Sequence, residues 1–487
     1  MKISEIFESA PELEVENIMT DSRVKTEKSI FFCIVGLIND GHKYIEQAID
    51  NGAICVVHSK DLEKYYQGIT YLKVDDTMSA LNLFASHFYG DCSKKMKVYS
   101  VTGTNGKTTV AWIIRYLVSC FKPCGYIGTI GYMWDENIHD SFYTTPEVCE
   151  IHRMIKEIYD HNCRDIAIEA SSQGIELRRI DSVDFDYAIF TNLTHDHLDV
   201  HGTMDNYYNA KAILFRKLTS DKTAVINIDD AYGQRLLTEC SCKKVSYGID
   251  NKCDYQASNI ELFADHSSFD LTFKENVYHI NTNLVAKFNI YNLLAVLATL
   301  LEDGYKIEDL LPYLNTIPQV LGRAERIDCG QNFNVIVDYA HTPDGYEKIF
   351  EYINSIAKEN GRIITVFGAH GARDHKKRPM IGKIVDDNSD VIILCSEDNH
   401  WENPYDICCE IATGISKHSW IYIEDRYDAI RQGLELANKD DTVCILGKAD
   451  EQYFKIGDGK VYWMGDDNAA REILNNMRNG EENEEIK

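Results

Sequence analysis

Three observations predict an α/β protein of three domains. The chain has 487 residues, more than one hydrophobic core usually serves. Short apolar runs of strand type alternate with amphipathic stretches of helix type along most of its length. That rhythm breaks near residues 90–95 and restarts again after Leu321-Gly322-Arg323, so the expected domains are 1–95, 96–322 and 323–487.

In the first domain, Ser29-Ile30-Phe31-Phe32-Cys33-Ile34 and Ala53-Ile54-Cys55-Val56-Val57 read as buried strands of a small α/β unit. In the second, Asp165-Ile166-Ala167-Ile168, Tyr187-Ala188-Ile189-Phe190 and Thr223-Ala224-Val225-Ile226 alternate with helical patterns, which implies a mainly parallel sheet. In the third, Val335-Ile336-Val337, Ile363-Ile364-Thr365-Val366-Phe367, Val391-Ile392-Ile393-Leu394 and Val443-Cys444-Ile445-Leu446 suggest a fold of dinucleotide-binding type. No Gly-x-Gly-x-x-Gly fingerprint accompanies them, so a nicotinamide cofactor is not expected. The polar tail, residues 475–487, reads as frayed.

The formal charge of −27 disfavours sequence-independent binding to nucleic acid or anionic membranes. No apolar run approaches the ~20 residues of a membrane span, and Met1-Lys2-Ile3-Ser4 does not open a secretory signal. A cytoplasmic monomer acting on small molecules is the expectation. The fifteen cysteines are scattered, without a Cys-x-x-Cys pair, and read as reduced, buried thiols.

The most specific signal is Gly103-Thr104-Asn105-Gly106-Lys107-Thr108-Thr109, between the strand-like Lys97-Val98-Tyr99-Ser100 and a helix-like stretch at 110–119. Backbone N–H groups of such a turn cradle phosphate, Lys107 adds a cation and the Thr108 hydroxyl can hold Mg²⁺, so an ATP site is expected. The usual spacing would put a glycine at 101, where Val101 stands, so the loop is a short variant. A second dense constellation, Thr194-His195-Asp196-His197-Leu198-Asp199-Val200-His201, nearly spells a zinc-hydrolase signature. A metallo-hydrolase using His195, His197, Asp199 and His201 is therefore an alternative reading. Val200 offsets the spacing, and a hard Mg²⁺ suits an ATP enzyme better.

The short loop resembles that of the Mur ligase family, ATP-dependent amide-forming enzymes of peptidoglycan precursor synthesis, and of the neighbouring folylpolyglutamate synthases. Further motifs carry the resemblance over nearly the whole chain. Glu169-Ala170-Ser171-Ser172-Gln173 and His195 resemble the family's magnesium-binding segments, and Lys211, in Lys211-Ala212-Ile213-Leu214-Phe215, resembles its carbamylated lysine. The resemblance thus implies Lys107, Glu169, His195 and Lys211 as catalytic residues, with Thr108, Glu169, His195 and carbamylated Lys211 around Mg²⁺. Asn289 and Asn292 of Phe288-Asn289-Ile290-Tyr291-Asn292, Arg323 and Asp338 resemble the adenine, hinge and ribose contacts, although Ala286-Lys287 stand where a glycine is usual.

Ser22, Asp40, Gly41 and His42 resemble the uridine-nucleotide contacts of the ligase that adds the third stem-peptide residue; folylpolyglutamate synthases lack that domain. Thr144, Thr145, Ser171 and Arg179 resemble its muramoyl-peptide contacts. The implied reaction phosphorylates the terminal carboxylate of UDP-MurNAc-L-Ala-D-Glu, and an incoming amine attacks the acyl phosphate.

The amino-acid site departs from the family. Arg373 is retained and would hold the α-carboxylate, within Gly368-Ala369-His370-Gly371-Ala372-Arg373-Asp374 where Gly-Cys-Gly-Gly-Asp-Arg-Asp is typical. Ser396-Glu397-Asp398-Asn399-His400-Trp401-Glu402-Asn403-Pro404 fills the region of the family's Asp-Asn-Pro-Arg; His400, or with a one-residue shift Trp401, takes the Arg position, and neither offers the guanidinium that reads the distal carboxylate of diaminopimelate. Gly447-Lys448-Ala449-Asp450-Glu451 replaces Gly-Lys-Gly-His-Glu. A pocket that gains Glu397, Asp450 and Glu451 while losing an Arg favours a distal ammonium, so L-lysine or L-ornithine is expected. A paralogue that joins an amino acid to another carboxylate is the alternative.

Overall fold

The computed structural model describes residues 1–8, 10–36, 39–263 and 265–485, with side chains to residue 478. It contains three α/β domains, each on its own sheet. The first sheet is parallel, with strands Asn17–Met19, Ser29–Phe32, Ala53–His58 and Thr70–Lys73 in sequence order. Side chains alternate across a strand, so Ile30, Phe32, Cys55 and Val57 face Phe84 on one side while Phe31 and Val56 face Ala48 on the other.

The central sheet has ten strands. Its middle is parallel, in the order Lys243–Gly248, Thr223–Asn227, Tyr187–Phe190, Lys97–Thr102, Asp165–Glu169 and Cys124–Gly128. The strand Gly131–Met133 closes one edge in antiparallel fashion. At the other, Tyr255–Leu262, Ser267–Phe273 and Asn276–Thr282 form an antiparallel meander. The parallel strands are buried on both faces, which is why they read as continuous apolar runs. The apolar helix Lys287–Glu302 and the loop-borne helix Lys107–Ser119 pack together on one face.

The third sheet runs Glu325–Arg326, Asn334–Asp338, Thr442–Leu446, Ile363–Phe367, Val391–Leu394, Trp420–Tyr422, parallel except for its first pair. The chain passes from Asn334–Asp338 to Ile363–Phe367, continues outward to Val391–Leu394 and Trp420–Tyr422, and then reverses to insert Thr442–Leu446 between the first two. Such a switch point opens a crevice beyond the carboxyl ends of the strands. A hairpin, Tyr453–Ile456 with Gly459–Tyr462, stands over that crevice, tied by His400 N to Lys455 O at 3.0 Å.

The expected fraying of the tail is corrected: Asp466–Glu485 is one helix whose inner face, with Ala469, Ala470, Ile473 and Leu474, seals the third core. Ile486 and Lys487, the end of that expected tail, lie outside the described residues. All fifteen cysteines are free and none is exposed. Among the described residues no helix is long and apolar enough to cross a membrane.

Candidate active site

Strand Lys97–Thr102 delivers the glycine-rich turn into the mouth of a cleft of about 640 Å³ between the central and C-terminal domains. Gly106 ends the turn at φ +87°, where a Cβ would lie 2.4 Å from Asn292 Oδ1, so only glycine fits. Helix Lys107–Ser119 starts there with no side-chain cap, which leaves its first N–H groups to an anion. Lys107 Nζ folds back on Gly103 O at 3.1 Å and Thr104 O at 2.8 Å.

Behind the turn, Thr108 Oγ1 donates to Glu169 Oε2 at 3.0 Å. Glu169 closes its strand fully buried and also accepts from Tyr126 Oη at 2.5 Å and Thr129 N at 2.9 Å. Lys211, on helix Met204–Arg216, is buried too; its Nζ donates to Gly103 O at 2.8 Å and lies 4.7 Å from the Tyr207 ring centre. No carboxylate pairs with it among the described residues. Burial and the neighbouring Lys107 push its ammonium far below the usual lysine range, with Asp196 opposing.

The hydroxyl of Thr108 beside the Glu169 carboxylate is a hard oxygen pair, and it fits Mg²⁺ that also takes phosphate and water oxygens. A charged Lys211 would repel the ion, whereas a carbamate there would supply a further oxygen. His195 does not join this group: its Nε2 meets Asp374 Oδ2 of the C-terminal domain at 2.9 Å. His197 lines the cleft instead, and sequence reasoning had left it outside the magnesium set. The left-handed φ of +54° at His197 turns the chain between the two rings, so they diverge. Burial holds the His197 imidazole at about 3, with Asp196 opposing and Lys211 adding to the shift.

Two further walls complete the cleft. Asn292 and Arg323 line it, with Asp338 accepting from Ala324 N at 2.6 Å and Ala340 N at 2.7 Å. Asn289 is buried and donates to Val285 O at 2.8 Å, so it supports Asn292 from behind. Ala286 adopts φ +75° at the position where a glycine was anticipated. Opposite lie Thr144, Thr145, Ser171 and Arg179. Arg179 is braced by Glu147 at 2.6 Å and by Thr145 O at 3.1 Å, and its guanidinium lies 4.6 Å from the Tyr143 ring centre.

Ser22, Asp40, Gly41 and His42 lie in the N-terminal domain outside this cleft. They are engaged internally: Ser22 Oγ donates to Gln47 Oε1 at 2.8 Å, and Asp40 Oδ1 meets His42 Nδ1 at 2.6 Å. Ser59 N donates to His42 Nε2 at 3.1 Å, which fixes the tautomer with its proton on Nδ1.

At the crevice of the third sheet, Arg373 and Glu451 line the cleft. Glu397 and Asp398 are buried just beneath. Their charges are already answered. Glu397 Oε1 meets His370 Nε2 at 2.9 Å, Asp398 Oδ1 accepts from Lys448 Nζ at 2.8 Å, and Glu451 Oε2 accepts from the same Lys448 at 2.5 Å. Burial raises the Asp450 carboxyl to about 6, against the pull of Arg323. The expected surplus of free acid, the basis for preferring lysine or ornithine, is thus reduced by Lys448, which takes Asp398 and Glu451, while Glu397 lies against the His370 imidazole. His400 is fastened to the hairpin through its backbone, and Gly447 begins the loop that carries Lys448.

The alternative zinc cluster does not assemble. His201 stacks on Tyr207 with ring centres 5.0 Å apart and meets Ser172 Oγ at 3.0 Å, while His195 turns to Asp374. Among the described residues no three His, Cys, Asp or Glu side chains converge as a metal site.

Comparisons with known proteins agree with this architecture. Residues 14–89 match the model described as "Mur ligase family, catalytic domain", 101–300 "Mur ligase middle domain", and 322–449 "Mur ligase, glutamate ligase domain". The UDP-N-acetylmuramoyl-L-alanyl-D-glutamate–2,6-diaminopimelate ligase of Clostridium botulinum is 39% identical over 456 residues, 92% of this chain and 93% of that one. A solved ligase of the same name superposes with a TM-score of 0.70 at 26% identity, covering 98% of this chain and 99% of that one. The MurF ligase of Thermotoga maritima, solved with ADP, shares the fold at 16% identity and a TM-score of 0.64, covering 90% and 95%. A phosphate cradle facing a second α/β domain, matched over nearly the whole length by such relatives, identifies the chain as a member of the Mur ligase family of ATP-dependent amide-forming ligases.

Proposed function

We propose that the protein is a cytoplasmic, monomeric ligase that uses ATP to add the third stem-peptide residue, a diamino acid, to UDP-MurNAc-L-Ala-D-Glu. The observation that carries the reading is the buried Lys211, whose Nζ donates to Gly103 O of the phosphate turn at 2.8 Å and has no carboxylate partner among the described residues, behind a cleft lined by Lys107, Thr108, Arg179 and Arg373; burial favours its neutral form. A neutral amine is the form that takes up CO₂, and the resulting carbamate removes a cation from the place where phosphate and metal charge must be balanced. The relatives act by name on this acceptor with 2,6-diaminopimelate, itself a diamino acid. Position 400 carries an imidazole where a guanidinium fork would grip the distal carboxylate, so selectivity at that end has to come from other groups.

In this reading the turn N–H groups and Lys107 bind the nucleotide phosphates, with Lys107 exchanging its contacts to Gly103 and Thr104 carbonyls for phosphate oxygens. Thr108, Glu169, His197 and the Lys211 carbamate would hold Mg²⁺. When bound, the ion supplies charge neutralisation at the transferring phosphoryl group. Arg179, braced by Glu147, orients the acceptor carboxylate, and Arg373 orients the amino acid through its α-carboxylate. Ser22, Asp40, Gly41 and His42 shape the N-terminal surface to which the uridine end is directed.

The test is ATP-dependent phosphate release with UDP-MurNAc-L-Ala-D-Glu and a panel of diaminopimelate, lysine, ornithine and neutral amino acids, with product masses. Turnover that needs both substrates and a diamino acid supports the reading. In the same assay Lys211→Ala is expected to lose activity and to regain part of it with short carboxylic acids. Nucleotide binding without turnover on any amino acid would point instead to a paralogue with another acceptor.

A further inference from the structure

The loop after strand Ile363–Phe367 carries an imidazole that the reading above does not use. His370 lines the cleft three residues before Arg373, at a position where the motif it resembles has glycine. Its Nε2 lies 2.9 Å from Glu397 Oε1, a close contact rather than a formed hydrogen bond, and both oxygens of the buried Glu397 carboxylate lack a hydrogen-bond partner among the described residues. The other nitrogen, Nδ1, has no hydrogen-bond partner among the described residues; Asp398 Oδ2, itself buried and without a hydrogen bond, lies 3.7 Å away. The loop is held stiffly: Arg378 Nη2 donates to His370 O at 3.0 Å, Gly371 N to Asp398 O at 2.7 Å and Ala372 N to Glu402 Oε1 at 2.5 Å. A carboxylate on one nitrogen and an open second nitrogen is the arrangement that orients an imidazole for proton transfer.

The chemistry has a place for it. An amino acid arrives with an α-ammonium, which has no lone pair and cannot attack an acyl phosphate. Its α-carboxylate and α-nitrogen sit on one carbon, so fixing the carboxylate on Arg373 brings the nitrogen to the same loop.

We propose that His370, oriented by Glu397, is the general base that takes a proton from the incoming α-ammonium, an inference that rests on the ligase reading above. One N–H bond breaks and its proton goes to His370 Nδ1. The freed lone pair forms the C–N bond at the acyl carbon, and the C–O bond to phosphate breaks with its electrons on the leaving oxygen. The second ammonium proton leaves with the phosphate. Glu397 is a positioning residue: its carboxylate lies 2.9 Å from His370 Nε2, and burial, which pushes its carboxyl up, is opposed by the nearby His370, Arg426 and Lys448.

Hydroxylamine separates the steps, because it is a neutral nucleophile at neutral pH and traps an acyl phosphate without a base. With wild-type enzyme, ATP, Mg²⁺ and UDP-MurNAc-L-Ala-D-Glu, hydroxamate formation establishes the activated intermediate. Its absence removes the ligase reading and this inference with it. With hydroxamate formed, His370→Gln is expected to trap it at the wild-type rate while amide formation falls about 100-fold in kcat at little change in the amino-acid KM. Glu397→Gln should show the same split with a smaller loss. His370→Gly should recover part of its amide-forming rate with added imidazole, a response that lost packing would not give. Amide formation by His370→Gln within a few-fold of wild type, or a parallel fall of hydroxamate and amide in both His370 variants, overturns the proposal and leaves the ligase reading intact.

Discussion

Single side chains in the cleft are fixed by what they would otherwise collide with. Gly106 is the plainest case: its φ of +87° and the 2.4 Å that would separate a Cβ from Asn292 Oδ1 both forbid a side chain. Gly106→Ala must therefore move either the turn or the asparagine, and the helix N-terminus loses its aim at the phosphates. The expected cost is about 1–2 kcal/mol of stability and at least a tenfold weaker ATP affinity, read by denaturant titration and nucleotide titration on the same variant. Unchanged ATP affinity would mean that the turn does not contact phosphate. Lys211 is fixed in the opposite sense, by the absence of a partner. Its carbonyl contact at 2.8 Å satisfies one donor, and among the described residues no carboxylate pairs with it, so burial pushes its ammonium well below the usual lysine range, with Asp196 opposing.

Helices and strands show where pattern was informative and where it was silent. The parallel strands and the phosphate turn were legible because burial on both faces writes continuous apolar runs, and because the turn chemistry is confined to a few glycines at fixed offsets. The meander at 255–282 was not. Its hairpin Ser267–Phe273 to Asn276–Thr282 turns at Lys274 and Glu275, both at positive φ, where Asn-Gly or Asp-Gly would be the usual signal. The His197 wall was hidden for a related reason, a left-handed residue within a string of metal-capable side chains. The joint between the first two domains gives an element-scale prediction. Helix Val148–Asp160 packs on helix Thr77–Phe88, and His152 Nε2 contacts Ser182 Oγ at 2.7 Å, which in turn meets Asn82 Oδ1 at 3.1 Å. Burial lowers His152 from 6.5 to about 4. The unfolded chain then takes up a proton near 6.5 and the folded one only near 4, so this residue contributes stability that is complete above 6.5 and is lost as pH falls to 4. The difference in unfolding free energy between wild type and His152→Gln should accordingly drop by on the order of 3 kcal/mol between pH 7 and 4. A difference that stays constant with pH would show that the imidazole is not held neutral.

At the scale of the whole molecule, a few polar contacts hold the C-terminal domain against the phosphate turn, beside the apolar packing of Val285, Ala286 and Phe288 on its core. Asn105 Nδ2 donates to Asp344 Oδ2 at 2.7 Å, His195 Nε2 meets Asp374 Oδ2 at 2.9 Å, and Arg373 lies 3.9 Å from Asp199. All three join residues beside the cradle to the third sheet's helix N-terminus or its Arg373 loop. No single contact is strong: His195 is about one-third exposed, and such pairs contribute roughly 1 kcal/mol or less. Together they hold the Arg373 loop beside the phosphate turn. His195→Ala and Asp374→Ala should therefore behave alike. Each is expected to raise the amino-acid KM by about fivefold, the factor that corresponds to ~1 kcal/mol, to leave ATP affinity unchanged, and to enlarge the radius of gyration in small-angle scattering. The double variant should be no worse than either single one, because both remove the same contact. A magnesium ligand would behave differently: His195→Ala alone would raise the Mg²⁺ concentration needed for half-maximal rate, with Asp374→Ala unaffected. That outcome would return His195 to the metal site the sequence first suggested, and additive KM effects in the double variant would remove the pair as a closure contact.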